Sequence, residues 1–323
     1  MSDEAISLNV LGIASGKERP RNDMIAIMRS QFLQIGKFTL EWGSRTYVMG
    51  ILNVTPDSFS GDGFISKGDV VQAALSQADE FIASGADILD VGGESTRPGS
   101  APVHVDEELE RVIPVIHALH KTFPDVLISI DTCKAQVADE ALRTGAQIVN
   151  DVWGLRADPG LAHIIAKYKT PVILMHNRSN PASLDVREKL GNAYIGSEYQ
   201  NLIEDVKREL LESVALARHA GVAESQIVLD PGIGFGKTRE HNLELINRLA
   251  EIRSLGYPIL LGTSRKSFIG FTLDLPADQR VEGTAATVSV GITRGADMIR
   301  VHDVKEMARV AKMTDAIVRK SPN

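Results

Sequence analysis

Polar side chains recur at the ends of short apolar runs in this sequence, and their types define a narrow chemistry. Asn53 falls in YVMGILNV (47–54), Asp131 ends LISID (127–131), Asn150 and Asp151 lie in IVNDV (148–152), His176 closes PVILMH (171–176) and Asp230 lies in IVLDPG (227–232). The loop STRPGS (95–100) follows ADILDVGG (86–93), SRKS (264–267) follows PILLG (258–262), and MIRVHD (298–303) carries Arg300 and His302. A carboxylate accepts paired hydrogen bonds from an N–C–N edge, and a carboxamide both donates and accepts, so Asp131, Asn150 and Asp230 suit a nitrogen-rich heterocycle. Arg97, Lys237, Arg265, Lys266 and Arg300, with His302 nearby, suit an anion. Charge-assisted hydrogen bonds of this kind contribute roughly 1.5–3 kcal/mol each. Residue chemistry alone therefore points to a phosphorylated heterocycle. Arg300 and His302 are two residues apart, so on a strand they share one face and can converge on one ligand. Mg2+ held partly by Asn53 and partly by substrate phosphate oxygens is chemically easier than zinc, for which the sequence has no H-x-x-x-H or His/Cys spacing.

Each of these residues also has a bland reading. An Asp or Asn at a strand end often caps the next helix or satisfies loop backbone. The set carries more weight, because polar groups inside apolar strands lose hydration unless they meet a partner. The segment DPGIGFGKT (230–238) invites a nucleotide-binding reading and fails it. A Walker loop would need glycine where Pro231 stands, and G-x-G-x-x-G started at Gly232 or Gly234 ends on Lys237 or Arg239. Two readings remain for it: a flexible loop with Lys237 solvated, or glycines that let backbone lie against a flat ligand while Phe235 presents its ring. His176 and His302 are candidates for acid–base work or metal ligation. Cys133 lacks a base at any recognisable spacing and reads as packing near a helix start.

The elements that must position these residues are legible as a repeat. Eight short apolar runs, each followed by a polar or Gly-rich loop and a helical pattern, fill the chain from Lys37 onward. Near-continuous apolar runs belong to strands covered on both faces, as in a parallel sheet. Ala74, Ala78 and Phe81, and Leu245, Leu249 and Ile252, follow helical spacing, while Gly85, Gly145, Gly221, Gly256 and Gly295 stand where left-handed helix ends are expected. Asp158 and Pro159 mark a helix start. Eight such units over about 275 residues predict a (β/α)8 TIM barrel, with chemistry at the C-terminal ends of the strands; a doubly wound sheet would show fewer strands. Segment 37–46 reads as a hairpin around Gly43 closing the barrel floor. The expected organisation is an N-terminal extension, 1–36, of unassigned role, and one barrel domain, 37–320.

Composition removes other classes. The 323 residues carry a net charge of -7 and one cysteine, which argues against general nucleic-acid binding and against a disulfide scaffold. No apolar stretch approaches the roughly 18–20 residues that cross a bilayer, and no signal peptide is legible, so a cytoplasmic protein without membrane or nucleic-acid partners is expected.

Several long segments closely resemble the dihydropteroate synthase family: GILNVTPDSFSGDGF (50–64), GADILDVGGESTRPGS (85–100), IDTCK (130–134), VNDVWG (149–154), LDPGIGFGKT (229–238), GTSRKSFIG (262–270) and GADMIRVHD (295–303). The resemblance covers about residues 37–320. It implies a (β/α)8 barrel that joins 6-hydroxymethyl-7,8-dihydropterin diphosphate to 4-aminobenzoate, giving 7,8-dihydropteroate and diphosphate by an SN1-like path. By resemblance, Asp131, Asn150, Met175, Asp230 and Lys266 bind the pterin, and Asn53, Thr96, Arg300 and His302 meet the diphosphate, with Asn53 also at Mg2+. Arg97, Pro98, Phe235, Lys266 and Ser267 line the aminobenzoate pocket, and Asp131, Lys266, Arg300 and His302 carry the chemistry. The loops SFSGDGF and STRPGS are expected to close over the site, although Phe64 and the preceding Gly-Asp-Gly depart from the family's common Ser-Asp-Gly-Gly. A homodimer and sulfonamide targeting also follow from the resemblance. A pterin-binding methyltransferase and a non-catalytic pterin-binding paralogue remain the alternatives.

Overall fold

The computed structural model describes residues 30–55, 67–95, 100, 102–179, 184–185, 193–194 and 198–319. Strands β1 (Phe32–Ile35) and β2 (Phe38–Glu41) form an antiparallel hairpin. Then come β3 (Tyr47–Asn53), β4 (Ile88–Gly92), β5 (Leu127–Asp131), β6 (Ile148–Asp151), β7 (Val172–Met175), the short pair β8 (Leu184–Asp185) and β9 (Ala193–Tyr194), β10 (Ile227–Asp230), β11 (Leu260–Leu261) and β12 (Met298–Val301). Helices α1 (Lys67–Ala83), α2 (Val105–Thr122), α3 (Ala135–Thr144), α4 (Leu161–Tyr168), α5 (Leu202–His219), α6 (Arg239–Asn247), α7 (Leu249–Arg253), α8 (Ser267–Leu273), α9 (Val281–Thr293) and α10 (Val304–Val318) alternate with them.

The eight parallel strands run in the order β10-β7-β6-β5-β4-β3-β12-β11. The ring closes between its ends, where Leu229 N–H donates to Pro258 O at 2.9 Å and Leu229 bridges Ile259 in parallel. This is the expected (β/α)8 barrel. Its two cores explain the continuous apolar runs. One, between strands and helices, gathers Val48, Leu52, Leu89, Ile128, Ile130 and Val149 against helix residues such as Ala74, Phe81, Ile116 and Leu245. The other fills the barrel interior with Met49, Ile88, Leu127, Ile148, Ile173, Val228, Leu260 and Met298, one from each strand. Burying each such side chain contributes roughly 1.5–3 kcal/mol.

Helix ends follow local chemistry. In α2, Asp106, Glu107 and Glu108 occupy the first turn and His120 and Lys121 the last, complementing the helix dipole. The five glycines expected at helix ends all have φ between +86 and +130°. Asp158, expected as the cap of α4, stands two residues ahead of its N-cap, Gly160; its carboxylate accepts from Gly160 N–H in the turn that enters α4 and from Ala135 N–H at the start of α3, each at 2.8 Å.

The hairpin lies earlier than the sequence pattern was read. Its strands pair Phe32 with Glu41 and Ile35 with Phe38, turning at Gly36–Lys37, while Gly43 belongs to the turn that leads into β3. The deciding feature is alternation: Leu33, Ile35 and Leu40 are buried and join the interior core with Trp42 and Tyr47, whereas Phe32, Gln34 and Thr39 face solvent. The hairpin does close the barrel floor, so part of the segment read as extension is structural. Residues 1–29 lie outside the described residues.

Candidate active site

Strand alternation turns the barrel interior from oil to polar groups along its axis. Two residues beyond the apolar layer, on the same inward face, stand Asp90, Asn150, Met175, Asp230, Gly262 and Arg300, and a further step brings Asn53, Asp131 and His302. Register sets neighbours: Asp131 lies opposite Asn150, Gly92 opposite Asp131, and Met175 opposite Asp230. The sequence-predicted residues on β3, β5, β6, β7, β10 and β12 therefore converge on one end of the barrel.

Arg300 is the hub. Its Nε donates to Asp90 Oδ2 at 2.6 Å and its Nη2 to Asp131 Oδ2 at 2.5 Å, while Asn150 Nδ2 donates to Asp90 Oδ2 at 3.1 Å. Burial pushes the Asp131 carboxyl up to about 7, with Arg300 opposing and Asp90 adding to the rise. Across the cup, burial also raises Asp230, opposed chiefly by Lys266. Burial lowers the Lys266 ammonium to about 8, with Asp230 opposing. Lys266 donates to Ile233 O and sits 4.6 Å from the Phe235 ring centroid. Ser267 follows it as the first residue of α8. His302 is fixed by Ser264, whose Oγ lies 3.1 Å from both its backbone N and its Nδ1.

Asp90 is the site residue that sequence reasoning missed. It is fully buried, and its signal was available: an acid two residues after Ile88, inside a strand that is otherwise apolar. Ser264 was read only as part of a loop.

Other expectations move away from the cup. Asp151 alternates outward and accepts from Trp153 N–H at 2.8 Å and Leu155 N–H at 2.5 Å, the capping role of the bland reading. His176 is buried against Glu209 Oε2 at 3.0 Å, so it is neither a metal ligand nor an exposed acid–base group. Lys237 is not solvated; it is 3% exposed and packed beneath its own loop. Arg265 Nε donates to Asp303 Oδ2 at 2.9 Å in a two-pronged ion pair, which commits its charge to the scaffold. Burial, aided by Asp151, pushes the Cys133 thiol up to about 12, which removes it as a nucleophile near neutral pH. Thr96, Arg97, Pro98 and the SFSGDGF loop lie outside the described residues. The approach to the STRPGS loop is anchored: Lys134 bridges Glu94 and Glu108, and Arg111 Nη1 donates to Gly93 O at 2.6 Å.

Among the described residues no group of three His, Cys, Asp or Glu could hold a metal ion. The hard oxygen donor at this end of β3 is Asn53. Also among the described residues, no helix is long and apolar enough to cross a membrane.

A (β/α)8 barrel with carboxylates, an amide and cations converging at the C-terminal ends of its strands has the architecture of an enzyme for a small polar ligand. The chain belongs to the dihydropteroate synthase family of pterin-binding enzymes: the family model described as pterin binding enzyme matches residues 49–302. Dihydropteroate synthase of Clostridium beijerinckii is 51% identical over 289 residues, covering 89% of this chain and 100% of that one. The Bacillus subtilis enzyme is 49% identical over 294 residues, covering 91% and 96%. Among solved structures, dihydropteroate synthase of Clostridium difficile in the presence of pteroic acid superposes with a TM-score of 0.78 at 50% identity, covering 86% and 99%. The Xanthomonas albilineans enzyme with 4-aminobenzoic acid gives a TM-score of 0.79 at 38% identity, covering 89% and 98%.

Proposed function

We propose that this chain condenses 6-hydroxymethyl-7,8-dihydropterin diphosphate with 4-aminobenzoate, giving 7,8-dihydropteroate and diphosphate. The observation that carries this is the buried Asp90–Arg300–Asp131 group joined to Asn150 and faced by Asp230 and Lys266, in a chain half identical to dihydropteroate synthases. Asp131, Asn150 and Asp230 offer the donors and acceptors that a pterin edge requires, with Met175 packed in the same layer. Arg300 and His302 present positive or donating groups to the diphosphate. Thr96, Arg97, Pro98, Phe235 and Ser267 are assigned by family resemblance to the second half of the site.

The chemistry follows from charge. The C–O bond to the diphosphate breaks with its electron pair leaving on oxygen, and Arg300 stabilises that growing charge. The pterin ring shares the positive charge left on the CH2 group, and buried carboxylates beside the ring favour it, which gives the path its SN1-like character. The aniline nitrogen then forms the C–N bond and one proton is released. Mg2+ fits the donor set as an ion held by Asn53, substrate oxygens and water rather than by a protein cage. When bound, it supplies further stabilisation of phosphate charge.

Diphosphate release that requires Mg2+ and both substrates is the expected result with the purified chain. Release with the pterin substrate alone would indicate a hydrolase, and no release would favour a binding paralogue. The same reading places the protein in the cytoplasm as a homodimer and a sulfonamide target. Met313 and Ile317, one turn apart on α10 and 63% and 70% exposed, support self-association through that face together with Val290 of α9. Light scattering of the wild type and of Ile317→Asp tests the dimer.

A further inference from the structure

The loop between β10 and α6 is held from beneath by a buried lysine whose Nζ meets two loop carbonyls and an imidazole nitrogen. Lys237 Nζ lies 2.8 Å from Gly232 O, 3.0 Å from Phe235 O and 2.9 Å from His176 Nδ1. On the far side of the ring, His176 Nε2 lies 3.0 Å from Glu209 Oε2. Burial raises the Glu209 carboxyl, but hydrogen bonds from His176 and Arg178 outweigh it and keep it well below the usual carboxylate range. An ionised carboxylate can only accept, so Nε2 carries the imidazole proton. Burial, with Lys237 adding to it, lowers the His176 imidazole to about 3, so the ring is neutral and Nδ1 is an acceptor. All three neighbours of Nζ are then acceptors, which matches the three protons of an ammonium group. Burial lowers the Lys237 pKa well below its ordinary value, but beside a neutral ring only the ammonium form meets all three acceptors.

The loop so held carries the site. Gly232 N–H donates to Asp230 Oδ1 at 2.7 Å, Phe235 N–H closes a turn onto Gly232 O at 3.1 Å, and Lys266 reaches Ile233 O while facing the Phe235 ring. Lys237 ties together the two carbonyls that flank this turn. We infer that Lys237 is a positioning residue: its ammonium group, oriented by the His176–Glu209 pair, fixes the turn Gly232–Phe235 and thereby the placement of the Phe235 ring beside Lys266. The Asp230 backbone belongs to its strand, while its carboxylate accepts from Gly232 N–H and has Lys237 among its charged neighbours, so it feels the same turn more weakly than the Phe235 ring does. This inference rests on the proposed condensation and on Phe235 facing the aminobenzoate.

The test is Lys237→Met in the full chain with Mg2+, a substitution that keeps the stem and removes the donors. The aminobenzoate KM should rise about tenfold or more, a larger factor than any loss of calorimetric pterin diphosphate affinity, which the same turn reaches only through Gly232 N–H and Ile233 O. In Lys237→Ala, propylammonium should lower that KM again, whereas 1-propanol, of similar shape with one donor, should not. An unchanged aminobenzoate KM, or equal rescue by the alcohol, overturns the inference while wild-type turnover keeps the proposed function intact. A wild type without turnover overturns both. If neither lysine variant folds, His176→Asn, which retains an acceptor toward Nζ, should keep the aminobenzoate KM within about twofold while His176→Leu raises it. Equal KM values for those two variants overturn the inference.

Discussion

Protonation of Asp131 should govern pterin affinity near neutral pH, and Asp90 should set where. Burial raises the Asp131 carboxyl to about 7, against the opposing pull of Arg300, and Asp90, which shares the same guanidinium, pushes in the same direction as burial. If the ionised carboxylate is the form that accepts from the pterin edge, apparent affinity scales with the ionised fraction. For a group titrating at about 7 that fraction is roughly 0.09 at pH 6.0 and 0.76 at pH 7.5, so the dissociation constant should fall about eightfold over that interval. Lys266, lowered to about 8, remains mostly protonated throughout. Asp90→Asn removes one negative charge next to Asp131 and should move the midpoint of the affinity profile to lower pH. Asp230, whose charged neighbours are Lys266, Lys237 and Arg300, should be unaffected by that substitution. Calorimetry with a pterin lacking the diphosphate is the appropriate assay, because the diphosphate itself titrates in this range. A pH-independent dissociation constant, or a midpoint that stays or rises in Asp90→Asn, would refute the reasoning.

Four further outcomes follow from the scaffold. Gly232 has φ +70° and a Cβ there would fall 1.7 Å from His176 O, so Gly232→Ala should cost roughly 3 kcal/mol or more, seen as a large drop in the urea midpoint or loss of soluble protein. The His176 imidazole is depressed from its ordinary 6.5 to about 3, so its contribution to stability is complete above 6.5 and is lost as pH falls toward 3; His176→Asn should flatten that acid limb in denaturant titrations. Asp131 acts in the opposite sense, its contribution being lost as pH rises from about 4 through 7, and Asp131→Asn should remove that slope. With its thiol pushed up to about 12, Cys133 should react slowly with a thiol-specific disulfide reagent at pH 8, and Cys133→Ser should retain turnover; rapid labelling with loss of activity would contradict the burial argument.

By itself the sequence determined the barrel and most of the cup. Eight apolar runs with polar termini leave few other arrangements, because a parallel strand buried on both faces must be apolar and the polar ends must meet a partner or water. Asn53, Asp131, Asn150, Asp230, Arg300 and His302 were legible for that reason, and period-two alternation now explains why they point inward. Alternation relative to a known inward residue is also what the linear pattern lacked. Asp151 and Asn150 look equivalent in IVND, yet only one can face the axis, and Asp90 gains meaning only when β4 brings it beside Arg300 and Asn150. Lys237 and Arg265 read as anion-binding cations because a charge in a Gly-rich loop carries no sign of its partners. Tertiary structure assigned them to His176 and to Asp303, residues 61 and 38 positions away; of the cations in the cup, Lys266 meets a carbonyl and Arg300 is shared between Asp90 and Asp131, with Nη1 outside both pairs. Ion pairs are formed by distance in space, and burial turns them into fixed commitments, so which charges remain for a ligand was decided only when the strands closed into a ring.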